Sequence, residues 1–143
     1  MSDTDQVESF GVPWEEDHGY VQAVRRGDTI YLSGQVAHDG ARLVAPAPVD
    51  DAGQVTDFAN TGEQLRQCYA NAAELLGRFG ASLGDVVEEV IYVRDIEAAG
   101  AVAGPVRRAA YGRPDPQVAS TVIGTPRLAF PELLVEVRFT ARL

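Results

Sequence analysis

The chain contains no lysine. All 12 of its basic residues are arginine. Schiff-base catalysis by a lysine is therefore excluded, as is lysine-linked pyridoxal phosphate. Positive charge is also outnumbered. Against 21 acidic residues the net charge is −9, which argues against binding a phosphate backbone, so no nucleic acid partner is expected. Cys68 is the only cysteine. No intrachain disulfide can form, and its core-facing helical spacing predicts a buried, inert thiol rather than a nucleophile. His18 and His38 are the only histidines. Neither belongs to a cluster with metal-ligand spacing, so no metal is expected, and a Ser/His/Asp triad would need chance placement. No apolar run is long enough to span a bilayer, and Met1-Ser2-Asp3-Thr4-Asp5-Gln6 lacks the basic and apolar regions of a signal peptide. A cytoplasmic protein without a membrane partner is expected.

What is present fits one domain. The 143 residues are 45% hydrophobic and 23% charged, enough to bury a core. Residues 1–10 are polar and read as a disordered tail; residues 11–143 read as a single domain. Two short runs rich in β-branched and aromatic residues flank Arg26-Gly27-Asp28, which predicts a hairpin. Its second run ends at Ser33-Gly34-Gln35, where glycine permits close approach of a backbone or ligand beside a hydroxyl and an amide. Trp14 is expected on the rim. Residues 36–55 read as a long surface loop, a lid or an oligomer edge. Asp57 is placed to cap a helix running to Phe79, with Leu65, Cys68, Tyr69, Ala72, Leu75 and Leu76 on its inner face and Gly80 just past its end. Val86–Val93 reads as a strand, 97–111 as a weaker helix containing Pro105, and 118–125 and 133–141 as the last strands. The order β-β-α-β-α-β-β predicts an α+β fold.

The sheet's two faces differ. Leu133, Val135, Val137 and Phe139 alternate onto one side, as do Val87, Ile91 and Val93, and two amphipathic helices suffice to cover that side. The other side carries Tyr31, Ser33, Val90, Tyr92, Leu134, Glu136 and Thr140. That mixture suits contact with another subunit. Glu136 then lies in an interface crevice, where burial raises a carboxyl toward the range useful for proton transfer. The pattern serves equally a structural strand glutamate paired with Arg138 or Arg94.

Both informative stretches coincide with one family. The chain resembles the Rid superfamily of small trimeric proteins, also called the YjgF/YER057c/UK114 family, over about Gly11 to Ala141. The likeness is carried by Gly19-Tyr20, Gln22-Ala23-Val24 and Gly27-Asp28-Thr29-Ile30 leading to Ser33-Gly34-Gln35. It continues in Asp85-Val86-Val87, in Tyr92-Val93-Arg94-Asp95 and in Leu134-Val135-Glu136-Val137. It implies a chorismate-mutase-like (YjgF-like) mixed sheet with two helices on one face, closed into a trimeric barrel, with small-molecule pockets between subunits. It implies hydrolysis of 2-aminoacrylate and related imines or enamines to 2-keto acids and ammonia, without a cofactor. A last-strand glutamate positions the water; by motif this is Glu136, with Tyr20 and Ser33 lining the pocket.

The family's carboxylate-binding arginine does not carry over. Its place falls on Ser120, or on Ala119 with a one-residue slip, so the chain resembles the arginine-lacking branches. Arg113 or Arg127 would have to reach in from loops. The expected site is therefore Glu136 as the catalytic residue, with Tyr20, Ser33, Gly34, Ser120 and Thr121 binding substrate. Activity on 2-aminoacrylate is expected to be weak, and the resemblance implies an imine, enamine or enol-type intermediate as substrate. The alternatives are a homotrimer that binds a metabolite without turnover, and a chaperone-like or regulatory trimer.

Overall fold

A computed structural model describes residues 5–143. A mixed sheet of six strands runs in the order β1-β2-β3-β8-β6-β7, with β6 and β7 parallel and the other neighbours antiparallel. Its strands are β1 (Gln6–Glu8), β2 (Ala23–Arg26), β3 (Thr29–Gln35), β6 (Val86–Val93), β7 (Ala119–Gly124) and β8 (Val135–Arg142). The order needs one crossover, from β6 to β7, and helix α3 (Ile96–Tyr111) supplies it. Helix α2 (Thr61–Arg78) lies on the same face. A short helix α1 (Pro13–His18) precedes β2, and a separate two-stranded unit pairs β4 (His38–Asp39) with β5 (Arg42–Leu43). The mixed α+β sheet with its helices matches the expectation.

The core lies between sheet and helices. Leu65, Cys68, Tyr69, Leu75 and Leu76 of α2 meet Ile30, Leu32, Ile91, Val135, Val137 and Phe139 of the sheet, all nearly inaccessible to water. Asp95 caps α3 by accepting from the Ala98 amide at 2.9 Å, and α3 keeps Pro105 inside. Cys68 is buried and its thiol pKa is pushed up, by desolvation first and by the charge of Glu136 second.

Several boundaries differ from the sequence reading. The expected tail is ordered from residue 5: Gln6–Glu8 pairs with Ala23–Arg25 as an edge strand, because β2 offers it an open row of backbone groups. Residues 1–4 of that tail lie outside the described residues. Segment 36–55 is not a plain surface loop. Val36, Ala37, His38 and Ala47 are buried, and Asn71 Nδ2 donates to the carbonyls of Val36 and His38 at 3.0 Å each. Helix α2 starts four residues after Asp57, whose carboxylate instead accepts from the Ala59 amide at 2.8 Å in a local turn.

Val87 is expelled. A register shift between Val86 and Glu88 inserts an extra residue against β8, so Val87 is 46% exposed, while Glu89 keeps the regular alternation and faces inward with Ile91 and Val93. Leu134, assigned to the outer side of the last strand, precedes β8 and is buried; its amide donates to Gln64 Oε1 at 2.8 Å. The sheet face away from the helices exposes Tyr31 (52%) and Ile123 (41%). Among the described residues no helix is long and apolar enough to cross a membrane.

Candidate functional site

Glu136 sits on β8 opposite Tyr92 of β6, between inward-facing Val135 and Val137. The period of the strand sends its carboxylate to the face without helices. There it meets Gly34. A Cβ added at Gly34 would lie 2.6 Å from Glu136 Cδ and closer still to Oε2, so the carboxylate packs directly on bare backbone. The group that comes close to Gly34 is thus a side chain of the same sheet, where the sequence predicts a backbone or a ligand.

A cleft of about 210 Å³ opens beside this contact. Gly34, Val36 and Glu136 line one side of it. Trp14, Tyr20, His38 and Phe130 line the rest, with His18, Gln22, Ala129 and Leu133 completing the wall. Helix α1 brings Trp14. Pro13 opens that helix, where a missing amide hydrogen costs nothing, and Gly19 ends it at φ 74°. The buried Glu15 carboxylate accepts from the amides of Phe10 and Gly11 at 2.9 Å each, tying the approach to the helix. Tyr20 follows immediately. Trp14 stands edge-on to Phe130 (centroids 5.6 Å apart) and to His38 (5.1 Å). The His38 Nδ1–H donates to the Gly40 carbonyl at 2.9 Å. A carbonyl can only accept, so His38 Nε2 carries a free lone pair when the ring is neutral.

Electrostatically the cleft is negative. Glu136 is half-buried and has no hydrogen-bond or ionic partner among the described residues; burial alone raises its pKa. The pKa of Tyr20 is raised too, chiefly by burial; a hydrogen bond with Gln22 works against the rise, and the charges of Glu15 and Glu136 reinforce it. Tyr20 is thus a neutral phenol at physiological pH. The alternative pairing of Glu136 with Arg138 or Arg94 is not formed. Arg113 is turned to Asp115 at 3.2 Å, and neither it nor Arg127 lines the cleft.

Of the expected binding residues, Tyr20 and Gly34 join Glu136. The others stand apart. Ser33 Oγ donates to the Val21 carbonyl at 2.7 Å and does not line the cleft. Ser120 faces the helices, where its hydroxyl donates to Glu89 Oε2 at 2.7 Å. The register settles which β7 residues share the side of Glu136. Tyr92 faces both Glu136 and Ile123, so the alternation places Ala119, Thr121 and Ile123 on that side and Ser120 on the other. Of the two positions on which the family's arginine could fall, Ala119 shares the sheet face of Glu136 and Ser120 does not. Thr121 is exposed two strands away from Glu136.

The sequence reading missed Trp14, His38 and Phe130 as cleft residues, and it missed Glu89 altogether. The available signals were rarity for Trp14 and His38, and for Glu89 a carboxylate in the middle of an apolar strand. Glu89 is fully buried under the helices. It accepts from Tyr69 and Tyr111 hydroxyls at 2.8 Å each, from Ser120 at 2.7 Å and from Arg107 Nε at 3.0 Å. Desolvation, reinforced by the Glu89 charge, drives both tyrosines upward. With every acceptor site engaged and the sheet between it and Glu136, this cluster reads as structural.

Comparison with known proteins agrees with this fold. The sequence profile of the endoribonuclease L-PSP family matches residues 14–143. The chain belongs to that family, the YjgF/RidA group. A Mycobacterium tuberculosis member of the YjgF/YER057c/UK114 family superposes with TM-score 0.72 at 29% identity, covering 97% of this chain and 99% of that one. RidA from an Antarctic Psychrobacter superposes with TM-score 0.72 at 24% identity, covering 99% and 100%, a likeness of fold. Among curated relatives, an uncharacterised protein of Streptomyces coelicolor is 27% identical over 93 residues (63% of this chain, 60% of that protein). A RutC family protein of Pyrococcus abyssi is 30% identical over 78 residues (54% and 52%). The matched stretches thus span only about half to three fifths of those relatives.

The Gly34 contact gives this YjgF/RidA-family chain a direct test. Gly34→Ala needs no forbidden backbone angle, and the side chain in its way is the mobile end of Glu136. The variant should fold and melt close to the parent. Its carboxylate must swing out of the cleft, and displacement of a reacting group by about 1 Å costs on the order of 10²-fold in rate. Steady-state turnover beside a melting curve checks both halves.

Proposed function

We propose that the chain is a cofactor-independent enzyme that hydrolyses an imine, enamine or related enol-type intermediate, with Glu136 as general acid and base. The observation that carries this reading is the Glu136 carboxylate: half-buried, unpaired among the described residues, and packed on Gly34 at the floor of an aromatic cleft. A carboxyl raised by desolvation can take a proton and return it near neutral pH. Water adds to the imine carbon and gives one proton to Glu136, while the C=N electron pair moves to nitrogen, which takes that proton back from Glu136 to complete the carbinolamine. The carbinolamine then collapses: its hydroxyl gives the second proton to Glu136 and becomes the carbonyl, the C–N bond breaks, and nitrogen leaves as ammonia with that second proton from Glu136. Tyr20, kept as a phenol, can donate to the nitrogen or oxygen that develops.

The working unit we propose is a cytoplasmic homotrimer whose neighbours close the cleft. Exposed Tyr31, Ile123 and Val87 support a covered outer face. RNA cleavage, which the family's descriptive name suggests, fits poorly with a net charge of −9 and a cleft whose unpaired charge is a carboxylate. Light scattering on a calibrated column should give a particle of three chains; a monomer at micromolar concentration would remove the neighbour-closed cleft.

For activity, imines are generated in situ by a flavin oxidase and partitioned between semicarbazide and hydrolysis. The protein should lower semicarbazone formation from imines that bear no carboxylate. It should do so weakly for 2-aminoacrylate, since Ala119 and Ser120 offer no guanidinium to a carboxylate. Failure to accelerate hydrolysis of any imine counts against the enzymatic reading.

A further inference from the structure

The geometry points to the ligand class of this cleft: a small aromatic cation, an amine or iminium without a carboxylate, with its nitrogen at Glu136 and its ring against Trp14 and Phe130. The inference rests on the cleft being the reacting site and goes further by fixing the charge and shape of what enters.

Three observations carry it. The first is the inventory of polar groups. The Glu136 carboxylate has no partner among the described residues, and the hydrogen bond from His38 Nδ1 to Gly40 leaves Nε2 as an acceptor whenever the ring is neutral. Gln22 Oε1 is already engaged by Gln35 Nε2 at 2.9 Å. A ligand that supplies N–H donors satisfies Glu136 and His38 together; one that supplies a carboxylate satisfies neither.

The second is the field. Glu15 and Glu136 act as negative charges on Tyr20, and Glu136 acts so on Cys68. No arginine lines the cleft, and β7 turns only Ala119, Thr121 and Ile123 to the side of Glu136. An anionic ligand would bring a like charge into a partly desolvated space with no arginine of this chain in its lining to balance it. An iminium would also be held in its more electrophilic form.

The third is the wall. Trp14 and Phe130 meet at an interplanar angle of 74° with centroids 5.6 Å apart, and His38 closes on Trp14 at 86°. Such a corner offers both an aromatic face for a flat ring and π-electron density for a cation.

Trp14 is the only tryptophan, so its fluorescence reports on the cleft. The probes are 2-phenylethylamine and 3-phenylpropanoate, matched in shape and opposite in charge, titrated at neutral pH, with calorimetry to catch binding that leaves Trp14 unchanged. The amine should bind about tenfold or more tightly than the acid, the scale of one desolvated cation–π or ionic contact. Glu136→Gln should abolish that preference while leaving the ring contact. Equal or tighter binding of 3-phenylpropanoate overturns the inference, as does a preference that survives in Glu136→Gln. If imines are nonetheless hydrolysed, the enzymatic reading stands and only the ligand class falls. If neither probe binds, by fluorescence or heat, the cleft is not the ligand site and both fall.

Discussion

Glu136→Gln is expected to lower turnover on an accepted imine by about 10²–10⁴-fold, the span general acid–base groups contribute. Glutamine keeps the length and one hydrogen-bonding oxygen but cannot carry a proton back and forth. The same substitution should make the protein more stable at neutral pH. Burial raises the pKa of Glu136 in the folded state, so folding favours the protonated form. The stability tied to that form is full below the unfolded carboxyl pKa and is lost as pH rises through the folded value. At neutral pH the native protein thus carries a partly desolvated charge that glutamine removes. Melting temperatures should be higher for Glu136→Gln at neutral pH and should converge with the parent on acidification through the carboxyl range. Loss of activity with gain of stability separates a working group from a structural one; a variant that keeps full turnover assigns the chemistry elsewhere.

Glu89→Gln should do the opposite. Glu89 is fully buried and holds four donors: two tyrosine hydroxyls, the Ser120 hydroxyl and Arg107 Nε. Removing its charge leaves Arg107 without its counterion. Breaking a buried pair from one side costs about 3–5 kcal/mol, which is a large part of the stability of a domain this size. The Arg107 side chain keeps 21% of its exposure and can rehydrate in part, which favours the lower end. Urea titration measures the loss directly. Adding Arg107→Met should restore part of it, since the orphaned guanidinium is then gone. The activity of whatever fraction folds should be close to that of the parent, because the sheet separates Glu89 from the cleft.

The contrast between the two glutamates shows what the sequence made legible. Strand β6 was readable to the residue, Val86–Val93, because β-branched residues crowd it. Glu136 was readable because Val135 and Val137 bracket it in a strict two-residue period. Gly34 was readable because a glycine at the end of a strand calls for an explanation. The setting of Glu89 was not. The two-residue period alone turns it inward with Ile91 and Val93, but the tyrosines, serine and arginine that satisfy it come from α2, α3 and β7 and are brought together only by the fold. What leaves no local mark is the bulge that exposes Val87, a property of the pairing with β8. Ser120 was misplaced for a related reason. A one-residue choice of register moves a side chain to the opposite face, and only the pairing with β6 decides it. The aromatic wall was invisible because Trp14, His38 and Phe130 come from three separate segments that the fold alone brings together.

Strand β8 also has a bearing on how the protein is made. It follows every other element in the chain, yet it lies in the middle of the sheet, between β3 and β6. A nascent chain emerging from the ribosome can assemble the β2–β3 hairpin and the β6–α3–β7 unit early, at the ordinary pace of synthesis. It cannot join them until β8 arrives and zips into the gap on both sides. Until then two half-sheets expose their central edges, the condition under which a chaperone is most useful and off-pathway pairing most damaging. The segment that ends this exposure is the one that carries Glu136. Completion of the sheet and delivery of the proposed proton-transfer group are therefore a single event, and a nascent chain that still lacks β8 lacks the carboxylate as well.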